Sequence, residues 1–238
     1  MTAAAVRTQD VATDQLAAAA FLALPEGSGP FPGVVVIHEF YGLNENIKDI
    51  TRRFAQNGYA ALAVDLFGRG NRVLCIALII AGQLTATVKR SGFIANGISD
   101  LKAALHYLSR LPEGDPARLG AIGFCLGGSY AIAWACTDQR LKAIAPFYGT
   151  NPRPLDAVAR ICPVVGSYPG RDFTARSGRK LEVALQRYGV PHDIKVYPGA
   201  RHAFFNDQLP GRYDAAAATD SWERVLRFFT EHVAGQTA

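Results

Sequence analysis

Short apolar segments alternate along this chain with stretches that carry apolar residues at helical spacing. The segment Gly33–His38 (GVVVIH) is rich in β-branched residues, as expected for a strand that is buried on both faces. The stretch that follows, 44–57, places its apolar residues on one helical face and ends at an Asn-Gly pair. This alternation continues to the last helical stretch, Ser221–Val233. The pattern predicts an α/β fold whose parallel sheet is covered by helices on both faces.

The remaining elements are predicted from the same periodicities and turn signals. Strands are predicted at Leu16–Leu24, Gly33–His38, Tyr59–Asp65, Leu119–Phe124, Leu141–Phe147, Cys162–Ser167 and Asp193–Tyr197. Helices are predicted at 44–57, Ser99–Leu111, Ser129–Cys136, Phe173–Tyr188 and Ser221–Val233. The length of 238 residues fits one domain, 1–238. We expect 1–15 to be loosely ordered, and 71–96 to form one or two helices that cover the active site.

The overall composition excludes several classes of protein. With 49% hydrophobic residues the chain can bury a core, and its net charge of +5 comes from scattered Lys and Arg rather than a basic stripe, so no nucleic-acid partner is expected. The longest apolar run, Val73–Ala81, is too short to cross a membrane, and the N-terminus does not resemble a signal peptide. The four cysteines lack metal-ligand spacing. We therefore expect a cytoplasmic monomer or homodimer with neither metal nor cofactor.

The sharpest local signal is Gly123-Phe124-Cys125-Leu126-Gly127-Gly128, which places a thiol between a predicted strand and a predicted helix. This matches the G-x-S-x-G nucleophile elbow with cysteine in place of serine. The strained turn makes the side chain project from the sheet, and the helix N-terminus behind it favours negative charge. The alternative is a buried structural cysteine, which is the interpretation we favour for Cys75, Cys136 and Cys162. In its elbow context, Cys125 is the candidate nucleophile.

A nucleophile of this kind requires a base and a group that orients it, in the chain order nucleophile, acid, histidine. His202 lies in a loop after the strand that ends near Tyr197, at the edge where such sheets bind their ligands. His192 precedes that strand and His232 lies in the last helix, so both are interpreted as surface histidines. Asp172 follows the preceding strand and is the candidate acid; it can also cap the helix that begins at Phe173.

The loop after the first buried strand, His38-Glu39-Phe40-Tyr41-Gly42, is expected to donate one backbone N–H to an oxyanion, and the N–H of Leu126 to donate the other. Glu39 either accepts the proton of the thiol or forms an ordinary loop ion pair, and its position alone leaves both open. Tyr41, Arg201 and Phe204 flank these groups in the sequence. They are the candidate substrate-binding residues.

Four segments together resemble the dienelactone hydrolase family: VVVIHEFYGLNENIKDITRRFAQNGYAALAVDLFGRG, GAIGFCLGG, GSYPGRDF and YPGARHAFFND, which span 34–207 in the family's order. The resemblance implies an α/β-hydrolase fold and a triad of Cys125, His202 and Asp172. It also implies that Glu39 contacts the resting thiol and helps to activate it, and that Phe40 and Leu126 supply the oxyanion N–H groups. The substrates best known for the family are dienelactones, which it opens to maleylacetate.

One departure from the family bears on the substrate. The dienelactone enzymes hold the substrate carboxylate with arginines, one of them a few residues after the catalytic histidine, whereas 203–207 here (AFFND) contains none. Arg201 and Arg212 are nearby but do not match that position. The predicted function is hydrolysis of a small lactone or activated ester through a thioester acyl-enzyme. The alternatives are a general carboxylesterase or thioesterase with a more hydrophobic substrate and, from a different class, a non-catalytic redox-sensing thiol protein.

Overall fold

The computed structural model describes residues 4–12, 16, 18–68 and 92–235, with side chains from residue 97 onward in the last range. The cover expected at 71–96 falls outside these residues, except that the backbone of 92–96 begins a helix. Strands are β1 (Val6–Val11), β2 (Ala20–Pro25), β3 (Phe31–Ile37), β4 (Ala60–Val64), β5 (Gly114–Phe124), β6 (Leu141–Phe147), β7 (Val164–Pro169) and β8 (His192–Tyr197). Helices are α1 (Glu45–Gln56), α2 (Gly92–Arg110), α3 (Leu126–Ala135), α4 (Thr174–Arg187) and α5 (Ala215–His232), with a 3₁₀ turn at Leu155–Arg160.

The eight strands form one sheet in the order β1-β2-β4-β3-β5-β6-β7-β8. β1 and β2 pair antiparallel, as do β2 and β4, and every other neighbouring pair is parallel. The predicted α/β architecture is therefore confirmed. The expectation of a loosely ordered 1–15 is wrong over Val6–Val11. That segment pairs with β2 as an edge strand, whose solvent-facing side chains make its sequence polar.

Two apolar layers cover the two faces of the sheet, and β3 shows how one strand serves both. Val35 and Ile37 pack into the layer with α2, α3 and α4, whereas Val34 and Val36 pack into the layer with α1 and α5. All four side chains are fully buried, and each contributes roughly 1.5–3 kcal/mol through burial. Burial on both faces explains why the sequence of this strand is an uninterrupted apolar run.

Several predicted boundaries are displaced, each for a local reason. Helix α5 begins at Ala215 rather than Ser221, because the Asp214 side chain accepts a hydrogen bond from the Ala217 N–H at 3.1 Å and caps the helix there. Strand β5 begins at Gly114, within the predicted turn, because the chain pairs there with Phe31 of β3 before the register shifts. No helix in the described part of the chain has the length and apolarity needed to cross a membrane.

The parallel strands β3, β5, β6, β7 and β8 bring their carboxyl ends to one edge of the sheet. The loops or turns that follow carry, in chain order, Glu39, Cys125, Tyr148, Asp172 and His202. Loops at this edge are where sheets of this class bind their ligands. The topology therefore collects the predicted site residues from across the sequence into one place.

Candidate active site

Cys125 occupies a sharp turn between β5 and α3 with backbone angles of φ 54° and ψ −112°, a backbone conformation rare for residues other than glycine. The turn closes only because its flanking residues lack side chains. A Cβ at Gly123 would lie 2.1 Å from the Gly127 carbonyl oxygen, and one at Gly127 would lie 2.3 Å from the Ile37 carbonyl oxygen. The strained strand-to-helix turn predicted from the sequence is therefore present at Cys125.

The Cys125 side chain is half-buried, and its backbone N–H donates to the Phe147 carbonyl oxygen at 3.0 Å. This bond holds the turn against the end of β6. Leu126 is the first residue of α3, where backbone N–H groups have no acceptor within the helix. Cys125 thus directly precedes the positive end of a helix dipole, an environment that stabilises negative charge on a nearby oxygen.

His202 connects the thiol to Asp172. Its Nδ1 lies 3.1 Å from Asp172 Oδ2, and Cys125 is the other neighbour that acts on the charge of the ring. Burial alone would lower the pKa of His202, but the interactions with Asp172 and Cys125 outweigh burial and raise it to about 10. The imidazole therefore lies between a carboxylate and a thiol.

The two carboxylate oxygens of Asp172 contact different partners, Thr174 and His202, while the N-cap position of α4 itself is occupied by Phe173. Asp172 Oδ1 accepts from the Thr174 backbone N–H at 2.8 Å and from the Thr174 hydroxyl at 2.5 Å, while Oδ2 faces His202. Burial raises the pKa of Asp172, but the bonds from His202 and Thr174 outweigh it and lower the pKa below its ordinary value. The carboxylate is thus ionised at neutral pH and fixed at the start of α4.

Glu39 is almost fully buried, and two neutral side chains hold its carboxylate. The Tyr148 hydroxyl donates to Oε1 at 2.8 Å and the Asn206 amide donates to Oε2 at 3.1 Å. Burial raises the pKa of Glu39, and these two hydrogen bonds offset only part of that rise. Within the described part of the chain, the hydrogen-bond donors to this carboxylate are therefore neutral, whereas its sequence position also allowed a loop ion pair.

His38 fixes the loop that carries Glu39. Its Nε2 accepts from the Leu66 N–H at 2.9 Å, so the proton resides on Nδ1, which donates to the Glu39 carbonyl oxygen at 2.6 Å. His38, Tyr148 and Asn206 were not among the predicted site residues. Tyr148 follows strand β6 directly, so the rule that located Asp172, a residue just after a parallel strand, could have found it.

The residues predicted to bind substrate fall into two groups. Tyr41 and Arg201 are exposed next to site residues, and Phe40 is half-buried. Phe204 is fully buried and packs against the rings of Phe147, Tyr148 and Tyr197, so the expectation that it contacts a substrate is wrong in this structure. Its backbone supports the histidine loop from within the core.

Cys136, Cys162, His192 and His232 lie away from this site. Burial raises the pKa of Cys136 to about 11 and that of Cys162 to about 12, so both are protonated and unreactive at neutral pH. His192 hydrogen-bonds the Val190 carbonyl through Nδ1 at 2.7 Å, and His232 packs against a ring of α5. Cys75 falls outside the described residues. Within those residues, no group of His, Cys, Asp and Glu side chains has the arrangement of a metal site.

Comparison with known proteins places this geometry in context. A model of the Dienelactone hydrolase family matches residues 18–233. A protein of Saccharolobus solfataricus that is assigned as a carboxymethylenebutenolidase is 37% identical, with 88% of this chain and 92% of the relative covered.

Two solved structures share the architecture. One, from Klebsiella pneumoniae subsp. pneumoniae and assigned as a dienelactone hydrolase, superposes with a TM-score of 0.82 at 29% identity, covering 95% of this chain and 99% of the other. A dienelactone hydrolase-like promiscuous phosphotriesterase from metagenomic libraries superposes with a TM-score of 0.80 at 28% identity, covering 96% and 99%.

Proposed function

The chain belongs to the dienelactone hydrolase family, and we propose that it cleaves a small lactone or activated ester through Cys125, His202 and Asp172. Membership makes it a carboxylic ester hydrolase of the carboxymethylenebutenolidase type that acts on a small molecule. The observation that carries the finer proposal is the position of His202, which hydrogen-bonds Asp172 and interacts electrostatically with the elbow cysteine. That arrangement is the one a cysteine nucleophile needs.

In the first half-reaction, the Cys125 thiolate attacks the acyl carbon. The negative charge that develops on the carbonyl oxygen is stabilised by the N–H groups of Phe40 and Leu126, and such a donor is typically worth about 3–4 kcal/mol. His202 then gives its proton to the leaving oxygen as the carbon–oxygen bond breaks. The products are an acyl thioester on Cys125 and a free hydroxyl, which for a lactone remains part of the same molecule.

In the second half-reaction, water attacks the thioester. His202 takes a proton from that water, and Asp172 keeps the ring oriented and stabilises its charge. The carbon–sulfur bond breaks, the carboxylic product leaves, and the thiolate and protonated imidazole with which the cycle began are restored. A thiolate is a better leaving group than an alkoxide, so the site is suited to activated esters and lactones more than to amides.

Glu39 is proposed to take part in activating the thiol. Tyr148 interacts with both groups. Burial is the main cause that raises the pKa of this phenol, and the charges of Glu39 and Cys125 raise it further. A buried carboxyl whose pKa is already raised can accept a proton near neutral pH more readily than a solvated one. Binding of substrate next to the oxyanion loop would move Glu39 relative to the thiol.

The substrate is proposed to be less charged than a dienelactone. Asn206, four residues after His202, lies in the stretch where the family's dienelactone enzymes carry an arginine. Its side-chain amide donates a hydrogen bond to Glu39. A neutral amide attracts a carboxylate much less than a guanidinium does. This observation favours, as the second candidate function, a general carboxylesterase or thioesterase that uses the same residues.

The test is to incubate the protein with cis- and trans-dienelactone and, separately, with p-nitrophenyl acetate, alongside Cys125→Ala, Cys125→Ser and the matched control Cys136→Ala. We expect turnover of at least one substrate that Cys125→Ala abolishes and Cys136→Ala preserves, with an acyl adduct on Cys125 detectable by mass spectrometry. Cleavage of p-nitrophenyl acetate alone would select the general esterase. Full activity of Cys125→Ala would refute the mechanism, and reversible peroxide oxidation without any turnover would indicate the redox-sensing alternative.

A further inference from the structure

Phe173 follows Asp172 directly and exposes its ring beside the His202 imidazole. The residue is 71% exposed, and its ring plane lies 10° from the plane of His202 with the ring centroids 6.2 Å apart. On the core side, the Tyr148 ring approaches the same imidazole, with a centroid distance of 4.9 Å. The imidazole thus has one buried aromatic neighbour and one exposed aromatic neighbour.

Two hydrogen bonds hold the backbone around Phe173 in a conformation that directs its ring to solvent. The Thr174 N–H donates to Asp172 Oδ1 at 2.8 Å, and the Ala175 N–H donates to the Asp172 carbonyl oxygen at 3.2 Å. Thr174 and Ala175 are themselves buried and occupy the side of the chain that faces the core. The position therefore forgoes most of the roughly 1.5–3 kcal/mol that burial of a phenylalanine contributes, and stability does not explain the aromatic side chain.

A second exposed aromatic residue occupies the equivalent position in the oxyanion loop. Tyr41 is 48% exposed and follows Phe40, just as Phe173 follows Asp172. Among the described residues only two other large apolar side chains, Val183 and Tyr213, are exposed. Half of the exposed large apolar side chains in that part of the chain therefore adjoin proposed catalytic groups. Exposed apolar groups concentrated at a site are typical of surfaces that contact a ligand.

The chemistry of the proposed function determines which part of a substrate Phe173 meets. His202 returns a proton to the leaving oxygen, so that oxygen must come within hydrogen-bond reach of the imidazole. The substituent on that oxygen must then lie beside the ring on which Phe173 stacks. We propose that Phe173 is a specificity-determining residue that contacts the alcohol part of the ester and favours apolar or aromatic leaving groups. The inference rests on the proposed function.

Two series of esters separate this contact from other effects. The first keeps the acetyl group and varies the alcohol from methyl through butyl to phenyl, with acid release measured at constant pH. The second keeps p-nitrophenol and lengthens the acyl chain from acetate to octanoate. Phe173→Ala should lower kcat/KM by about tenfold for phenyl acetate and by less than about twofold for methyl acetate. In the series of p-nitrophenyl esters with different acyl chains, Phe173→Ala should lower every kcat/KM by the same factor. Phe173→Leu should restore kcat/KM for butyl acetate more than kcat/KM for phenyl acetate.

The control is Val183→Ala, which removes another exposed apolar side chain, on helix α4, and should leave both series unchanged. A loss that is equal for all alcohols and accompanied by a shifted pH profile of kcat/KM would overturn the inference, because Phe173 would then act through His202. A loss that follows acyl length, or no loss at all, would overturn it as well. If the unaltered protein cleaves neither series, or does so without Cys125, the proposed function itself fails, which is a distinguishable result.

Discussion

The side-chain amide of Asn206 donates a 3.1 Å hydrogen bond to the Glu39 carboxylate, and both residues are almost fully buried. The two residues follow different strands, so this bond ties the loop that carries His202 to the loop proposed to bind the oxyanion. Tyr148 donates to the other carboxylate oxygen. A buried carboxylate held by two neutral donors depends on both of them, because a polar atom left without a partner in the interior is costly.

Asn206→Ala removes one of these donors. We expect it to lower the free energy of unfolding by about 1–3 kcal/mol, because an oxygen of Glu39 loses its partner, and to reduce kcat/KM through misplacement of the carboxylate. Urea denaturation and ester kinetics measure the two effects. Gln139→Ala is the control, since its exposed amide donates to the Arg160 carbonyl at 3.1 Å and its loss should cost about 0.5 kcal/mol or less. Equal effects of the two substitutions would show that the buried bond adds nothing.

Glu39→Gln tests the charge of the carboxyl through the pH dependence of stability. Burial raises the pKa of Glu39 above 4.5, so the native protein binds this proton more tightly than the unfolded chain does. The contribution of Glu39 to the free energy of unfolding is therefore greatest below about pH 4.5 and falls as pH rises through the raised native pKa. The stability of the variant relative to the unaltered protein should thus increase with pH across this window and level off above it. Urea midpoints over the window measure this trend, and a pH-independent difference would contradict it.

Asp172→Asn separates the charge of Asp172 from its structural role at the start of α4. Asparagine still offers an oxygen to the Thr174 N–H but removes the negative charge that faces His202. The pKa of His202, raised to about 10 at present, should fall, and kcat/KM should decrease by about 10³–10⁴-fold. NMR titration of the imidazole and ester kinetics provide the measurements. Thr174→Val removes only a hydroxyl donor and should stay within about tenfold of the original activity. If the two variants lost activity equally, the contact between Asp172 and Thr174 at the start of α4, and not the charge of Asp172, would account for the loss.

The positions of the main site residues could be predicted because strand ends define them. Cys125, Asp172 and His202 each follow an apolar strand, and parallel strands bring such positions to one edge of a sheet whatever their separation in sequence. The strand β3 was equally clear, since burial on both faces leaves an uninterrupted apolar run. These inferences need only local patterns and one rule of topology.

What could not be predicted depends on contacts between distant segments. Nothing local in Phe204 distinguishes a ring that lines a site from one that packs into the core against Tyr197. The strand Val6–Val11 has the composition of a polar tail, and only its pairing with β2 makes it a strand. The partners of Glu39 come from loops more than one hundred residues further along the chain, so sequence alone could not decide between an ion pair and a buried carboxyl.

The packing of Gly127 against strand β3 leads to the last prediction. A Cβ added there would lie 2.3 Å from the Ile37 carbonyl oxygen and 2.8 Å from the His38 carbonyl oxygen. Both are backbone atoms, so relief requires α3 to move away from the end of β3, which would separate Cys125 from the loop that holds Glu39. Gly127→Ala should therefore lower the free energy of unfolding by about 1–3 kcal/mol.

Gly127→Ala should also reduce kcat/KM at temperatures where the variant remains folded. The reason is that the turn at Cys125 would be displaced from the loop that carries Glu39 and is proposed to bind the oxyanion. Gly199→Ala is the matched control. It lies three residues before His202, a Cβ there would meet nothing within 4 Å, and its stability should change by about 0.5 kcal/mol or less. Urea denaturation followed by kinetics on the folded variants measures both. If Gly127→Ala were as stable and active as the control, close contact between β3 and α3 would not be what positions the nucleophile.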